Sequence, residues 1–352
     1  MSNKVLFVTN FSVEKKKARL LFEQKILSDR GYQVDTLYFE GKYRVFALVL
    51  TYLSLKFFNF HQVFEVRKRA KYYDHIVIYG LQPLPAILFI SGKKNVIYQS
   101  LDDNVSYTIY ELSKRFKPFG WFSKPLDWFM RRVELALSSK ARHILVNSLA
   151  LKDYLEGSKL NYYTSPLENL SLTWNKLNPY ALLYLGQLRE EKGTKYIKEI
   201  CERYSIPCHF FGMPVDDAAR RLMEEQYIVF QGNKTAAELV SSISNLTRNV
   251  NLIGISMIES IHKSYETQEA NKDIDYMAMG MPFVGNDRLT TKAKIEAGCG
   301  VKFDEFEQLL AFDFYSNCAN RCRVVYDKDY KSELFIATFL QCFDTNHLTK
   351  EM

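Results

Sequence analysis

The sequence predicts an α/β chain made of two doubly wound parallel-sheet domains. Three observations carry that expectation. Short apolar runs bounded by polar residues or glycine recur along the chain with helical periodicity between them, the pattern of buried strands alternating with helices. The alternation restarts after Asn178-Pro179. The length, 352 residues, is about twice that of an ordinary single core.

In the first half, Val5–Val8 reads as a strand, 14–30 as a helix ended by Gly31, and Val34–Leu37 as the second strand. His75–Tyr79, Asn95–Tyr98 and His143–Val146 continue the strand series, with helical segments between them. These make a first domain over 1–170, followed by a linker near 165–179. In the second half, Ala181–Leu185 is a strand, 194–204 a helix, and Cys208–Phe211 a strand ending at Gly212. Ile228–Phe230, Leu252–Ile255, a helix over 270–279 and the strand Pro282–Val284 complete a second domain over 178–330. The last segment, 331–352, reads as a helix with Phe335, Phe339 and Phe343 at i, i+4 and i+8, an apolar face suited to packing back on the first domain. Two open α/β domains in tandem are expected to gather the carboxyl ends of their strands around one cleft, where ligands bind.

The chain carries a net charge of +7, with a pI near 8.9. That excess suits nucleic acid, an anionic membrane surface or a phosphorylated ligand without choosing among them. No recognisable nucleic-acid motif supports the first, and nucleic acid is not expected as a partner. The six cysteines all follow residue 200, form no CxxC pair and have no histidine cluster beside them. Free thiols in a reducing cytoplasm are expected, and no metal site is read. A strand starting at Val5 leaves no room for a cleavable signal peptide. The most apolar stretch, Val45–Phe60, is too short and polar for a membrane span. No GxGxxG follows the first strand, where the chain reads Asn10-Phe11-Ser12, which disfavours a dinucleotide-dependent dehydrogenase. Two stretches, Leu55–Tyr73 and Lys114–Arg132, interleave cations with aromatics. They fit an anionic bilayer interface or a core helix with a basic outer face.

Two segments carry chemistry. In Leu183-Tyr184-Leu185-Gly186-Gln187-Leu188-Arg189-Glu190-Glu191-Lys192-Gly193 a strand ends at a glycine and a basic turn opens a helix. Cations beside helix amides suit a diphosphate. In the segment from Asn271 to Val284 a helix places Lys272 and Asp275 at i and i+3, then ends at Gly280 before Pro282. An acid there is placed to accept ribose hydroxyls while the lysine meets phosphate. A third segment, Tyr98-Gln99-Ser100-Leu101-Asp102-Asp103-Asn104, follows a strand at the ligand end of its sheet. Asp102 or Asp103 is placed to bind acceptor hydroxyls, to act as a base, or merely to cap a helix.

The first two segments, in this order and about 85 residues apart, resemble the donor-site signatures of the GT-B glycosyltransferases of the glycosyl transferases group 1 type (family 4-like). The resemblance spans roughly 181–303, including Gly298–Val301, and Ser139–Leu151 is similar to the late part of the family's first domain. It implies a GT-B fold and transfer of a sugar from a nucleotide-diphospho-sugar to an acceptor hydroxyl, with retention, without a cofactor or required metal. The Tyr-x-x-x-Asp-Asp stretch is similar to one found in the bacterial surface-polysaccharide branch. This implies capsule, O-antigen or exopolysaccharide assembly on a saccharide or lipid-linked acceptor, in the cytoplasm or peripherally on the inner membrane's cytoplasmic face. By resemblance Lys192 contacts the diphosphate and serves catalysis, Asp275 holds the ribose, Lys272 matches a lysine of one branch, and Gly186 ends the first strand. Gln187 stands where the family usually has arginine, so either Arg189 substitutes or the phosphate grip is weaker. The family's earlier glutamate falls on Thr267. Two alternatives stay open: a non-catalytic GT-B-like partner protein, and an inverting enzyme with Asp102 or Asp103 as base.

Overall fold

The computed structural model describes residues 3–9, 18–38, 60–81, 83–90, 95–100, 103–115, 121–159, 165–170, 172–259, 265–266 and 269–344. Asp102, Lys117, Thr267, the Asn10–Ser12 loop and most of Val45–Phe60 lie outside them. The chain forms two compact units, Met1–Tyr162 with His262–Gln268 and Phe335–Met352, and Tyr163–Ile261 with Glu269–Leu334.

The first unit holds a sheet of six strands, all parallel: β1 (Lys4–Thr9), β2 (Gln33–Tyr38), β3 (His75–Tyr79), β4 (Asn95–Ser100), β5 (His143–Val146) and β6 (Ser158–Lys159). Their order across the sheet is β2-β1-β3-β4-β5-β6. Its described helices are α1 (Ala18–Asp29), α2 (Phe60–Ala70), α3 (Asn104–Arg115), α4 (Ser123–Ser138) and α5 (Leu149–Leu155). The twofold alternation of a strand splits the core between the two faces. Leu6, Val8, Ile76, Ile78 and Tyr98 pack with Val63 and Val66 of α2 and with Leu126 and Met130 of α4. Val5, Phe7, Val77, Tyr79 and Ile97 face Leu20 and Leu27 of α1 and, from the far end of the chain, Phe335, Phe339 and Phe343. The two upstream phenylalanines stack at 5.6 Å, and Asn95 ties the same segment down by donating to the Cys342 carbonyl at 2.6 Å. Each such ring contributes about 1.5–3 kcal/mol on burial.

The second unit holds β7 (Tyr180–Leu188), β8 (Cys208–Pro214), β9 (Ile228–Gly232), β10 (Asn251–Ser256), β11 (Phe283–Gly285) and β12 (Gly300–Lys302), again all parallel. Their order is β12-β11-β10-β7-β8-β9. Numbered from the unit's own first strand, this is the 3-2-1-4-5-6 doubly wound arrangement, whose winding reverses between β7 and β10. Helices α6 (Thr194–Tyr204), α7 (Asp217–Leu222), α8 (Ala236–Leu246), α9 (Asn271–Ala278), α10 (Leu289–Glu296) and α11 (Phe312–Asp329) belong to it, and α12 (Ser332–Gln341) follows. The stretch expected as a linker is built into this unit. Glu168 accepts from Tyr326 and Ser332 at 2.7 Å each, and Trp174 donates to the Gly280 carbonyl at 3.1 Å. Among the described residues no helix is long and apolar enough to cross a membrane.

Candidate anion-binding site

In a doubly wound sheet the crevice opens at the carboxyl ends of the strands where the winding reverses. In the second unit that place is the end of β7 and β10, and the chemistry-bearing residues collect there. β7 runs through Gly186, which is exposed at φ 101°, and delivers a single-turn 3₁₀ helix over Glu190–Lys192. Gly193 turns the chain at φ 104° into α6, and a Cβ there would lie 3.0 Å from the Met257 carbonyl just past β10. Only glycine lets the turn pack that closely on the neighbouring strand end. The Glu259 amide donates to the Glu191 carbonyl at 2.8 Å and holds the two loops together.

Helix α9 enters from the other side. Tyr276 donates to the carbonyls of Leu183 (3.0 Å) and Ile255 (3.2 Å), and its ring fills the space a side chain at Gly254 would need, 2.5 Å from that position. The helix start is thereby fixed over β7 and β10. Lys272, in its first turn, is 9% exposed, and its amine lies 4.4 Å from the centre of the Tyr184 ring. Among the described residues the Nζ has no hydrogen-bond partner, although a buried ammonium ordinarily demands one. Burial lowers the Lys272 pKa to about 7; Arg288 and Lys192 push the same way, against Asp273. Lys192 is half-buried and lowered too, first by burial and then by Arg189 and Arg288. The buried Arg189 Nε also has no hydrogen-bond partner. Four cations therefore act on one place, and among the described residues Lys272 Nζ and Arg189 Nε have no hydrogen-bond acceptor.

Asp273 keeps this arrangement from flying apart. It is fully buried and accepts from Ser256, from Thr291 at 3.0 Å and from Lys294 at 3.3 Å, with Arg288 at 3.5 Å. Burial pushes its carboxyl up, but Lys294, Arg288 and the Ser256 hydroxyl outweigh that and hold it below the ordinary carboxylate value. Lys294 is in turn paired with Glu269. The acid's charge is thus divided among several cations and hydroxyls, which leaves Lys272 without a hydrogen-bonded counter-ion.

No family model matches the sequence, and no curated protein does either. Solved structures match over nearly the whole chain. Sucrose-phosphate synthase from Thermosynechococcus elongatus is similar at TM-score 0.65 and 15% identity, covering 97% of this chain and 98% of that one. A glycosyltransferase from Rickettsia africae ESF-5 is similar at TM-score 0.61 and 11% identity over 100% of both chains. An α-glucosyltransferase in complex with UDP and a 13-mer DNA is similar at TM-score 0.55 and 11% identity, covering 97% of this chain and 100% of that one. The fold is that of the GT-B glycosyltransferases.

Within the second GT-B domain, Gly186, Arg189, Lys192 and Lys272 stand at the strand ends. Gln187 is exposed there, and its carbonyl accepts from the Tyr184 hydroxyl at 3.0 Å. Asp275 does not pair with Lys272. It is 6% exposed and accepts from the Ser165 hydroxyl at 2.6 Å. In the first GT-B domain, Asp103 begins α3: it accepts from the Ser106 amide at 3.0 Å and the Ser106 hydroxyl at 2.8 Å. Arg131 reaches it at 2.8 Å and also binds Asp127 at 2.9 Å. Asp103 thus has a cap and an ion pair, and Arg131 is not a free cation of the Lys114–Arg132 stretch. Beside them Glu134 accepts from Tyr98 (2.8 Å) and Tyr154 (3.1 Å), and burial pushes it up to about 7. The outward side of α4 carries Trp128 and Phe129, preceded by Trp121 and Phe122, with Trp121 91% exposed and Arg132 lying 5.7 Å over the Trp128 ring.

Sequence reasoning missed Asp273, Arg288, Tyr184 and Ser165. Arg288 was within reach: it follows the strand Phe283–Gly285 as Arg189 follows Tyr180–Leu188, the same logic of a cation just past a strand end. Asp273 carried no such signal, because nothing local tells which of two acids in a helix meets buried cations.

Proposed function

We propose that the second GT-B domain binds a nucleotide-diphospho-sugar and that the protein transfers its sugar to an acceptor hydroxyl. One observation carries the reading: Arg189, Lys192, Lys272 and Arg288 converge at the switch point of a doubly wound sheet, with Lys272 Nζ and Arg189 Nε lacking acceptors. A diphosphate supplies the acceptors, and buried cations aimed at a departing diphosphate stabilise the charge that develops as the glycosidic bond breaks. In this reading the chain's own cations meet that charge and no metal is needed. Retention of configuration, and a place in capsule, O-antigen or exopolysaccharide assembly, are the finer proposals. They rest on the sequence resemblance. Asp102 and Asp103 are the acidic candidates for the acceptor side, Asp103 being held by its Ser106 cap and its Arg131 ion pair.

The exposed Trp121, Phe122 and Trp128, with Lys124 and Arg132 beside them, support a further part of the proposal. This face docks on the anionic cytoplasmic leaflet and meets a lipid-linked acceptor there. A second reading, a non-catalytic GT-B-like partner, is favoured by Asp275, whose carboxylate already takes the Ser165 hydroxyl where a ribose is expected. A thermal-shift panel of UDP-, GDP-, ADP- and CMP-sugars separates the two. Stabilisation by one nucleotide class followed by sugar release to an acceptor supports the enzyme. No response from any member overturns it.

A further inference from the structure

Lys272 presents an unusual combination. Its amine is buried, lies against the Tyr184 ring, and has no hydrogen-bond partner. It also sits in the first turn of α9, where the helix dipole disfavours a cation, and Ala270 at the N-cap provides no side-chain hydrogen bond. The titratable and charged groups around it come from four elements. From β7 there is the Tyr184 ring; from the turn that follows, Lys192, with Glu191 acting on Lys192 and Tyr184. From α9 itself there is Asp273, and from the start of α10, Arg288. Among the described residues, the one anion acting directly on Lys272 is Asp273, which also serves Arg288, Lys294, Thr291 and Ser256. The two cations repel a further positive charge.

We propose that an anionic diphosphate binds this site together with a proton, which Lys272 takes up as the ligand arrives. The proposal rests on the donor-site reading above and deepens it. The free amine gives up its proton near neutrality, because two cations and a desolvated pocket oppose the charge. A bound diphosphate reverses the local field and supplies acceptors, so the ammonium becomes the favoured form. Binding and protonation are then linked. Affinity is flat below about pH 7 and falls as pH rises above it, approaching tenfold per pH unit. At pH 8 most of a proton accompanies each ligand, and at pH 6 much less.

The test is calorimetry with UDP-, GDP- and ADP-linked hexoses, whose phosphates are diesters and do not titrate in this range. Titrations run at pH 6 and pH 8 in non-phosphate buffers of low and high ionisation enthalpy. At pH 8 the observed enthalpy should rise with buffer ionisation enthalpy with a positive slope of up to about one proton, and at pH 6 with a clearly smaller one. Lys272→Gln should remove the pH 8 slope, whereas Lys192→Met, which removes one of the two opposing cations, should reduce it without abolishing it. If Lys272→Gln fails to fold, the wild-type pH dependence of Kd still decides: a Kd constant from pH 6 to pH 9 overturns the proposal. Binding with the same enthalpy in every buffer at pH 8 overturns the proton uptake and leaves the donor site standing. Absence of binding heat with every hexose overturns the donor-site reading and this proposal with it.

Discussion

Lys272→Met should make the protein more stable at mildly acidic pH while weakening nucleotide-sugar binding. The argument starts from the cost of the charge. An amine with an ordinary value of 10.5 stands at about 7 in the folded chain, mainly through burial. At 1.36 kcal/mol per pKa unit, that corresponds to a penalty of about 5 kcal/mol when the group is held charged, an upper figure that relaxation reduces to about 2–5 kcal/mol. Between pH 7 and 10.5 the unfolded chain binds more protons at this site than the folded one, so the penalty shrinks as pH rises through that window. It is full below about 7 and gone above about 10.5. Methionine keeps the unbranched stem and a favourable sulfur contact with Tyr184, and it carries no charge. The variant should melt several degrees above wild type at pH 6, since about 2–4 °C accompanies each kcal/mol in a domain of this size. The advantage should fade towards pH 10. Scanning calorimetry of both proteins at pH 6, 7.5, 9 and 10 reads the difference. A variant no more stable at pH 6, or a gain that does not change with pH, would refute the reasoning.

Lys192→Ala should weaken nucleotide-sugar binding by about 1.5–3 kcal/mol, the cost of a lost charged hydrogen bond, as read by calorimetry. Asp275→Asn should lower affinity for nucleoside diphosphate and nucleotide sugar alike, and a 2′,3′-dideoxy nucleotide that binds as well as its parent would remove the ribose role. Ser165→Ala should cost about 1–3 kcal/mol of stability in denaturant titrations, because it takes a hydroxyl donor from the buried Asp275 carboxylate. Glu134, raised by burial from 4.5 to about 7, binds more protons folded than unfolded in that interval, so wild-type stability falls as pH rises through it. Glu134→Gln should flatten that part of the profile, a difference of up to about 3 kcal/mol at pH 8. Vesicles containing anionic lipid should sediment the wild-type protein. A Trp121→Ser, Trp128→Ser, Lys124→Gln, Arg132→Gln variant should stay in the supernatant, each cation contributing about 1 kcal/mol. Wild type left in the supernatant at low salt would end the docking idea.

The strands and helices were legible because burial on a repeating element imposes a period that the sequence must obey. Val5–Val8, Ile76–Tyr79 and Leu252–Ile255 are apolar, as strands covered on both faces require, and Phe335 and Phe339 repeat on one helix face, with Phe343 buried in the turn just past its end. Gly193 and Lys192 were legible for a similar local reason: a turn past a strand end needs glycine and offers its cation to whatever binds there. The sequence therefore determined the two α/β units, the strand-end turns and three of the four cations. The strand order was left to the tertiary structure, since periodicity tells which faces are buried and not which strands are neighbours. Only that order brings Arg288 to Lys192 and Lys272. Tertiary structure also assigned the acids: Asp273 and Asp275 look alike in sequence, yet one meets Lys294 and Arg288 and the other meets Ser165. Likewise Arg131, which reads as one more exposed cation, is paired with Asp103. A charge's role depends on its burial and its partner, and both come from residues distant in the chain, whose approach no local pattern records.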